Sequence, residues 1–276
     1  MNRYVTFAVK FAGVWLALII GQIAGGVIGQ MVAHAAAPAF RPDGPFDLMT
    51  ALVLSSGLYA LVLSAMTSTM RWGFWGKAFA VFILLYVLES GLSEIEAIYF
   101  NTYLHMSNSL LVSMAIGAVI KVAIGALVCA FLWRKETDPA EQFSGLAWKI
   151  PVISLLYVVF YFGAGRLIAW QSADVRAYYA QGFHIDQGQL ALVQVGRGLI
   201  WALLAWLSVA SLTGGTWKRA VLTGLAFSVF MAATLLYPNP LMPWSVRHVH
   251  LVEVGVSNFL FGILAALILL SGRKAR

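Results

Sequence analysis

Charge is what this sequence has least of. Only 11% of its 276 residues are Asp, Glu, Lys or Arg, against about 25% in a soluble domain. Hydrophobic residues make up 61%, more apolar surface than a water-soluble core hides, whereas a bilayer accommodates it. Cysteine is nearly missing too. The single Cys129 sits inside an apolar run, which excludes an intrachain disulfide and a cysteine metal cluster. Phosphate-binding loops, nucleotide fingerprints and serine-nucleophile motifs do not occur. The net charge of +7 would point to nucleic acid in a soluble protein. Here the basic residues flank apolar runs, so they report membrane orientation, and no nucleic-acid partner is expected.

What is present is apolar length. About 20 apolar residues cross the hydrocarbon layer as a helix. Eight windows qualify, at 9–33, 47–68, 77–99, 108–133, 149–170, 189–212, 217–237 and 248–271. Breakers such as Pro38, Pro42 and Pro45, or Pro238, Pro240 and Pro243, occupy the gaps. Met1-Asn2-Arg3 enters the first window without a small-residue cleavage site, so a retained first helix is expected. Arg3, Lys10, Arg71, Lys77, Arg134, Lys135, Lys149, Lys218, Arg219, Arg273, Lys274 and Arg276 all fall on one side of an eight-span topology. Only Arg41, Arg176 and Arg247 fall in the opposite loops. The expectation is an all-α membrane protein with both termini cytoplasmic, in a bacterial-type inner membrane. Trp72, Trp75, Trp133, Trp148 and Trp217 near one set of span ends, and Trp170 and Trp244 near the other, fit interfacial belts.

The windows also repeat at an offset of about 140 residues. Ala24-Gly25-Gly26-Val27-Ile28 aligns with Ala164-Gly165-Arg166-Leu167-Ile168, and Gly57-Leu58 with Gly198-Leu199. Lys77 meets Lys218, and Arg134-Lys135 meets Arg273-Lys274. We expect a tandem four-plus-four duplication, 1–138 and 139–276, with parallel halves. Apolar helices also align by composition alone. Gly21, Gly25 and Gly29, four apart, read as a helix-packing face.

Ionisable groups inside a span are costly, and each is a candidate for function. The third span holds Glu89, Glu94 and Glu96, the fourth Lys121, the fifth Arg166, and the sixth Arg197. The eighth holds His248, His250, Glu253 and Asn258. All but Lys121 fall in the outer half of the bilayer, with Glu89 roughly 15 Å and Arg197 roughly 12 Å below the surface. Glu89 and Glu96 are seven apart and share a helical face, as do His250, Glu253 and Ser257, while Glu94 and His248 point elsewhere. The expected cluster is Glu89, Glu96, His250 and Glu253 as acid/base groups. Arg166, Arg197, Lys121 and Asn258 would contact a lipid or small-molecule ligand. His250 and Glu253 also suit a divalent metal such as zinc or iron. The plainer alternatives are a charge network that locks helices together, a rim hydrogen bond for His250 and Glu253, and interhelical bonding for Asn258.

The acidic stretch Glu89-Ser90-Gly91-Leu92-Ser93-Glu94-Ile95-Glu96 has no adjacent glutamate pair and no arginine. It therefore lacks the opening of the CAAX-type glutamate intramembrane protease pattern. The first half has no histidine well inside a span, which excludes the paired axial ligands of haem A synthase. Three functions remain: an outer-leaflet site binding or acting on a lipid or membrane-embedded substrate, a small proton- or cation-coupled transporter, and a non-catalytic assembly subunit.

Overall fold

The structure, a computed structural model, describes residues 2–36, 43–134, 142–180 and 186–272. Pro38, Arg41, Pro42, Lys135, Arg273, Lys274 and Arg276 lie outside the described residues. Those described are all-helical, without a strand, and eight helices are long and apolar enough to cross a membrane.

Local chemistry sets where the helices begin. Helix α1 (Arg3–Ala33) starts six residues before the hydropathy window because Asn2 Oδ1 accepts from Tyr4 N at 3.1 Å. Helix α2 (Leu48–Thr67) is capped by Asp47, whose Oδ1 accepts from Thr50 N at 2.7 Å. That bond holds the Asp47 carboxyl below the usual carboxylate range. The third span comes in pieces: α3 (Phe74–Tyr86), a π-helical turn (Val87–Gly91) and α4 (Leu92–Tyr99), followed by the one-turn α5 (Asn101–Leu104). Helix α6 (Asn108–Leu132) is the fourth span. Helix α7 (Leu146–Leu167) runs on through a 3-10 turn, Ala169–Gln171. The short helix α8 (Ala173–Tyr179) follows, then α9 (Gln187–Ser211), α10 (Thr216–Ala232) and α11 (Trp244–Leu270).

Small residues bring the helix pairs together. The glycine row of α1 packs on α6 so closely that a Cβ at Gly25 would overlap the Gly117 carbonyl oxygen, and one at Gly29 the Ser113 carbonyl oxygen. A Cβ at Gly262 would stand 2.8 Å from Gly224 Cα across the α10–α11 contact. Such main-chain approach gives dispersion contacts that lipid cannot match. Between these pairs lies a ring stack. Tyr157 on α7 meets Trp201 on α9 at 5.4 Å, and Trp201 meets Phe227 on α10 at 4.8 Å.

At the end of the bundle where odd spans begin, basic side chains cap the carbonyls of neighbouring helix ends. Lys77 Nζ reaches the Trp133 carbonyl and an Arg219 guanidinium nitrogen the Val209 carbonyl. Lys149 Nζ donates to Leu269 O at 3.0 Å and Ser271 O at 2.7 Å. Cations complement the negative C-terminal end of a helix. The connections after α2 and α9 pair there as well. Arg71 N donates to Ser211 O and Thr213 N to Thr69 O, each at 2.9 Å, around an antiparallel Met70–Leu212 bridge.

At the opposite end Arg247 and Asp43 form an ion pair. Arg247, 1% exposed, places Nη1 2.9 Å from Asp43 Oδ2 and donates from Nη2 to Asp43 O at 2.8 Å. Nη1 also donates to Met242 O at 2.7 Å, and Asp43 Oδ2 accepts from Trp244 N at 2.7 Å. Replacing Arg247 with alanine takes the donors from Asp43 O and Met242 O and leaves the half-exposed Asp43 carboxylate with Trp244 N, so about 1–2 kcal/mol of stability is expected to go. Thermal unfolding in detergent checks this, and an unchanged midpoint would show that the clamp holds nothing.

Candidate functional site

A cavity of about 530 Å³ opens among α4, α7, α8, α9 and α11, at the end away from the basic carbonyl caps. Its walls are rich in aromatic side chains: Phe100, Tyr157, Phe160, Tyr161, Trp170 and Tyr179 all line it. Helix α8 and residues 239–242 border it, so its mouth lies among the loops at that end.

Two polar side-chain pairs face the cavity. Glu96 on α4 is ion-paired with Arg197 on α9, and Arg197 Nη1 also stands 3.3 Å from Gln194 Oε1. Gln194 Oε1 in turn accepts from the Tyr157 hydroxyl at 3.3 Å. The second pair is His250 with Glu253 on α11, Nδ1 to Oε2 at 2.6 Å. Spacing three apart puts both on one face of α11, and Ser257 follows on that face. The Tyr179 hydroxyl stands 3.4 Å from His250 Nε2. Burial first, then Tyr178 and Glu253, push that phenol above the ordinary tyrosine range, so it keeps its proton and can donate. A tyrosine hydroxyl at Nε2 and a carboxylate at Nδ1 give both imidazole nitrogens a partner and hold the ring in place. The row Tyr179–His250–Glu253 therefore has the composition of a proton relay.

Of the residues singled out from sequence, the cavity gathers Glu96, Arg197, His250, Glu253 and Asn258. Asn258 is 8% exposed, with Nδ2 3.5 Å from Met231 Sδ. Glu89 and Lys121 do not line the cavity. They form their own buried ion pair, with Glu89 Oε2 accepting from Ser90 at 2.7 Å and Lys121 Nζ 5.8 Å from the Tyr59 ring centre. The reason is the π turn. Leu92 N bonds back to Val87 O, five residues away. The extra residue turns the following helix by roughly 100°. The shared face expected for Glu89 and Glu96 rests on unbroken α periodicity. The turn instead sends Glu89 toward α6 and Glu96 toward α9. Arg166 is exposed and outside the cavity, and its carbonyl accepts from Gln171 Nε2 at 2.8 Å. Glu94 accepts from the Tyr86 hydroxyl at 3.1 Å, and His248 bonds back to Trp244 O. Among the described residues no three His, Cys, Asp or Glu side chains gather as a metal set, so His250 and Glu253 stand as a two-donor pair.

The aromatic wall and helix α8 were not anticipated from sequence. Ser172, whose hydroxyl accepts from Val175 N at 3.4 Å to cap α8, was a legible start signal. Trp170 was read as an interfacial anchor, yet it lines the cavity. Comparison with protein-family models, with curated proteins and with solved structures finds no match.

Proposed function

We propose that this chain is a polytopic membrane protein that binds a lipid-like or other membrane-embedded small molecule in its aromatic cavity, with His250 and Glu253 placed to move a proton on it. The observation that carries the reading is the cavity itself: one space with aromatic walls into which three helices deliver Glu96, Arg197, His250 and Glu253. Apolar walls with a few converging polar groups are what small-molecule sites present. A carboxylate-oriented imidazole is the usual acid/base device. A transport reading draws on Glu89 and Lys121, but that pair closes on itself away from the cavity. An assembly-subunit reading leaves the cavity without a purpose.

The site belongs, in this reading, to the outer half of the bilayer, with both termini cytoplasmic. The one-sided run of basic residues supports that orientation. The four-plus-four duplication is supported by the loop pairing. Arg71 N to Ser211 O and Thr213 N to Thr69 O exchange under one shift of 142 residues (213 − 71 and 211 − 69). Gly73 and Gly215 are the N-caps of α3 and α10 at that same shift. Two parallel halves about an axis along the membrane normal would bring equivalent loops together in this antiparallel way.

Mass spectrometry of protein extracted in mild detergent tests the binding reading. A Cβ at Gly165 would meet only ordinary contacts, with nothing nearer than 3.7 Å, so Gly165→Leu grows into the cavity without overlapping its neighbours at Cβ. A small molecule near one per chain is expected in the unaltered protein and is expected to fall at least fivefold in Gly165→Leu. Equal retention by both proteins would sink the reading.

A further inference from the structure

We infer that the ligand is an organic cation, an ammonium group carried on an apolar body, seated between Glu253 and the rings of Trp170 and Tyr179. The inference rests on the cavity reading above and names the ligand's charge.

The charge that the cavity offers is acidic. Glu96 is 30% exposed and its partner Arg197 only 2%, so the carboxylate stands in front of the guanidinium. Among the described residues Arg197 is the one lysine or arginine of the lining. Glu253 is 14% exposed. Its Oε2 is engaged by His250, while no hydrogen bond reaches Oε1 among the described residues. Glu253 is thus the second carboxylate that the lining offers, with one oxygen left for a ligand. Two carboxylates against one guanidinium, itself already paired with Glu96, favour a cation over an anion.

The rings complete the seat. Glycine at 165 leaves a gap whose Cβ position is 3.7 Å from Glu253 Oε1 and 3.7 Å from Trp170 Cδ1. The carboxylate and the indole thus border one space. The Trp170 and Tyr179 ring centres are 5.6 Å apart, and Tyr179 is 6.1 Å from the His250 ring. A carboxylate beside two electron-rich rings is how ammonium groups are recognised, and desolvation inside a cavity strengthens each contact. The apolar body would lie along Phe100, Phe160 and Leu190. An ammonium-headed lipid and a free amphiphilic amine share this chemistry.

The test uses the full chain in a neutral maltoside detergent and calorimetric titration with three probes of similar shape. These are benzyltrimethylammonium, its uncharged carbon analogue neopentylbenzene, and benzenesulfonate. The cation is expected to bind about tenfold tighter than the uncharged analogue, the factor that ~1.4 kcal/mol gives. Benzenesulfonate is expected to bind more weakly than both. Glu253→Gln should erase the preference for the cation. Trp170→Leu, at a half-exposed ring, should reduce it several-fold, and it serves if the first variant does not fold. Equal or tighter binding of the uncharged or anionic probe overturns the cation inference and leaves the cavity reading standing. Binding of none of the three overturns both. Competition in phosphatidylglycerol vesicles with and without phosphatidylethanolamine separates the sources: displacement of the probe marks a lipid headgroup, and undiminished binding marks a free amine.

Discussion

A single methyl group added at Gly25 is expected to unseat the first span from the fourth. The Cβ of Gly25→Ala would overlap the Gly117 carbonyl oxygen, and the obstacle is main chain, which has no rotamer to yield. Relief requires α1 and α6 to part, and the neighbouring approach of Gly29 to Ser113 would loosen with them. Overpacking in a filled interior costs 1–3 kcal/mol, and loss of a close helix seam lies at the upper end, about 3 kcal/mol. Gly26 supplies the control. It is the next residue on the same helix, and a Cβ there meets nothing within 4 Å. Gly26→Ala should keep or slightly raise stability, because alanine is the better helix former. Thermal unfolding and the yield of monodisperse protein after extraction measure both. If the two variants behave alike, the seam is not what holds α1.

Lys121→Met is expected to be comparably severe for the opposite reason, a lost partner rather than a clash. Lys121 is 5% and Glu89 9% exposed by side chain, and they pair between α6 and the π turn. Removing the ammonium leaves a carboxylate in a low-dielectric interior with Ser90 as its one remaining hydrogen-bond donor among the described residues. Breaking a buried pair on one side typically costs 3–5 kcal/mol. Removing both charges is a different matter. Glu89→Gln combined with Lys121→Met should recover most of the loss, because a pair of desolvated ions adds little beyond neutral packing. The four-protein cycle of wild type, two single variants and the double isolates the coupling. Additive losses would show that the two side chains do not depend on each other.

The spans were the most legible feature of the sequence, because a bilayer imposes length and polarity directly on the chain. Each expected window falls on a long helix, with ends displaced by capping chemistry that hydropathy does not register, as at Asn2. Span direction puts Glu89, Glu96, Arg166, Arg197, His250 and Glu253 at similar depth, and of these Glu96, Arg197, His250 and Glu253 line one cavity while Glu89 and Arg166 do not. Pairings were harder to read. Glu89 joins Lys121 because of a π turn in Val-Leu-Glu-Ser-Gly, and that segment carries no pattern marking it in advance. The cavity wall was obscured for another reason. Tyr157, Tyr161 and Trp170 look like any lipid-facing or interfacial aromatic until the packing of α7 against α9 and α11 turns them inward. Asp43 and Arg247 are 204 residues apart, and nothing local links them.

The glycine seam has a consequence for synthesis. Its two sides, α1 and α6, are the first and fourth spans to emerge, so the seam can close while the second half is still being made. Domains generally fold as units, N-terminal first. The cavity has no such early form. Its walls need α4 from the early half and α7, α8 and α9 from the late half, and His250 and Glu253 arrive only on the last helix. Until α11 inserts, Glu96 and Arg197 have no closed space around them. A nascent chain stalled before residue 244 would therefore hold a packed first half and no binding site, and ligand could be captured only once translation is nearly finished.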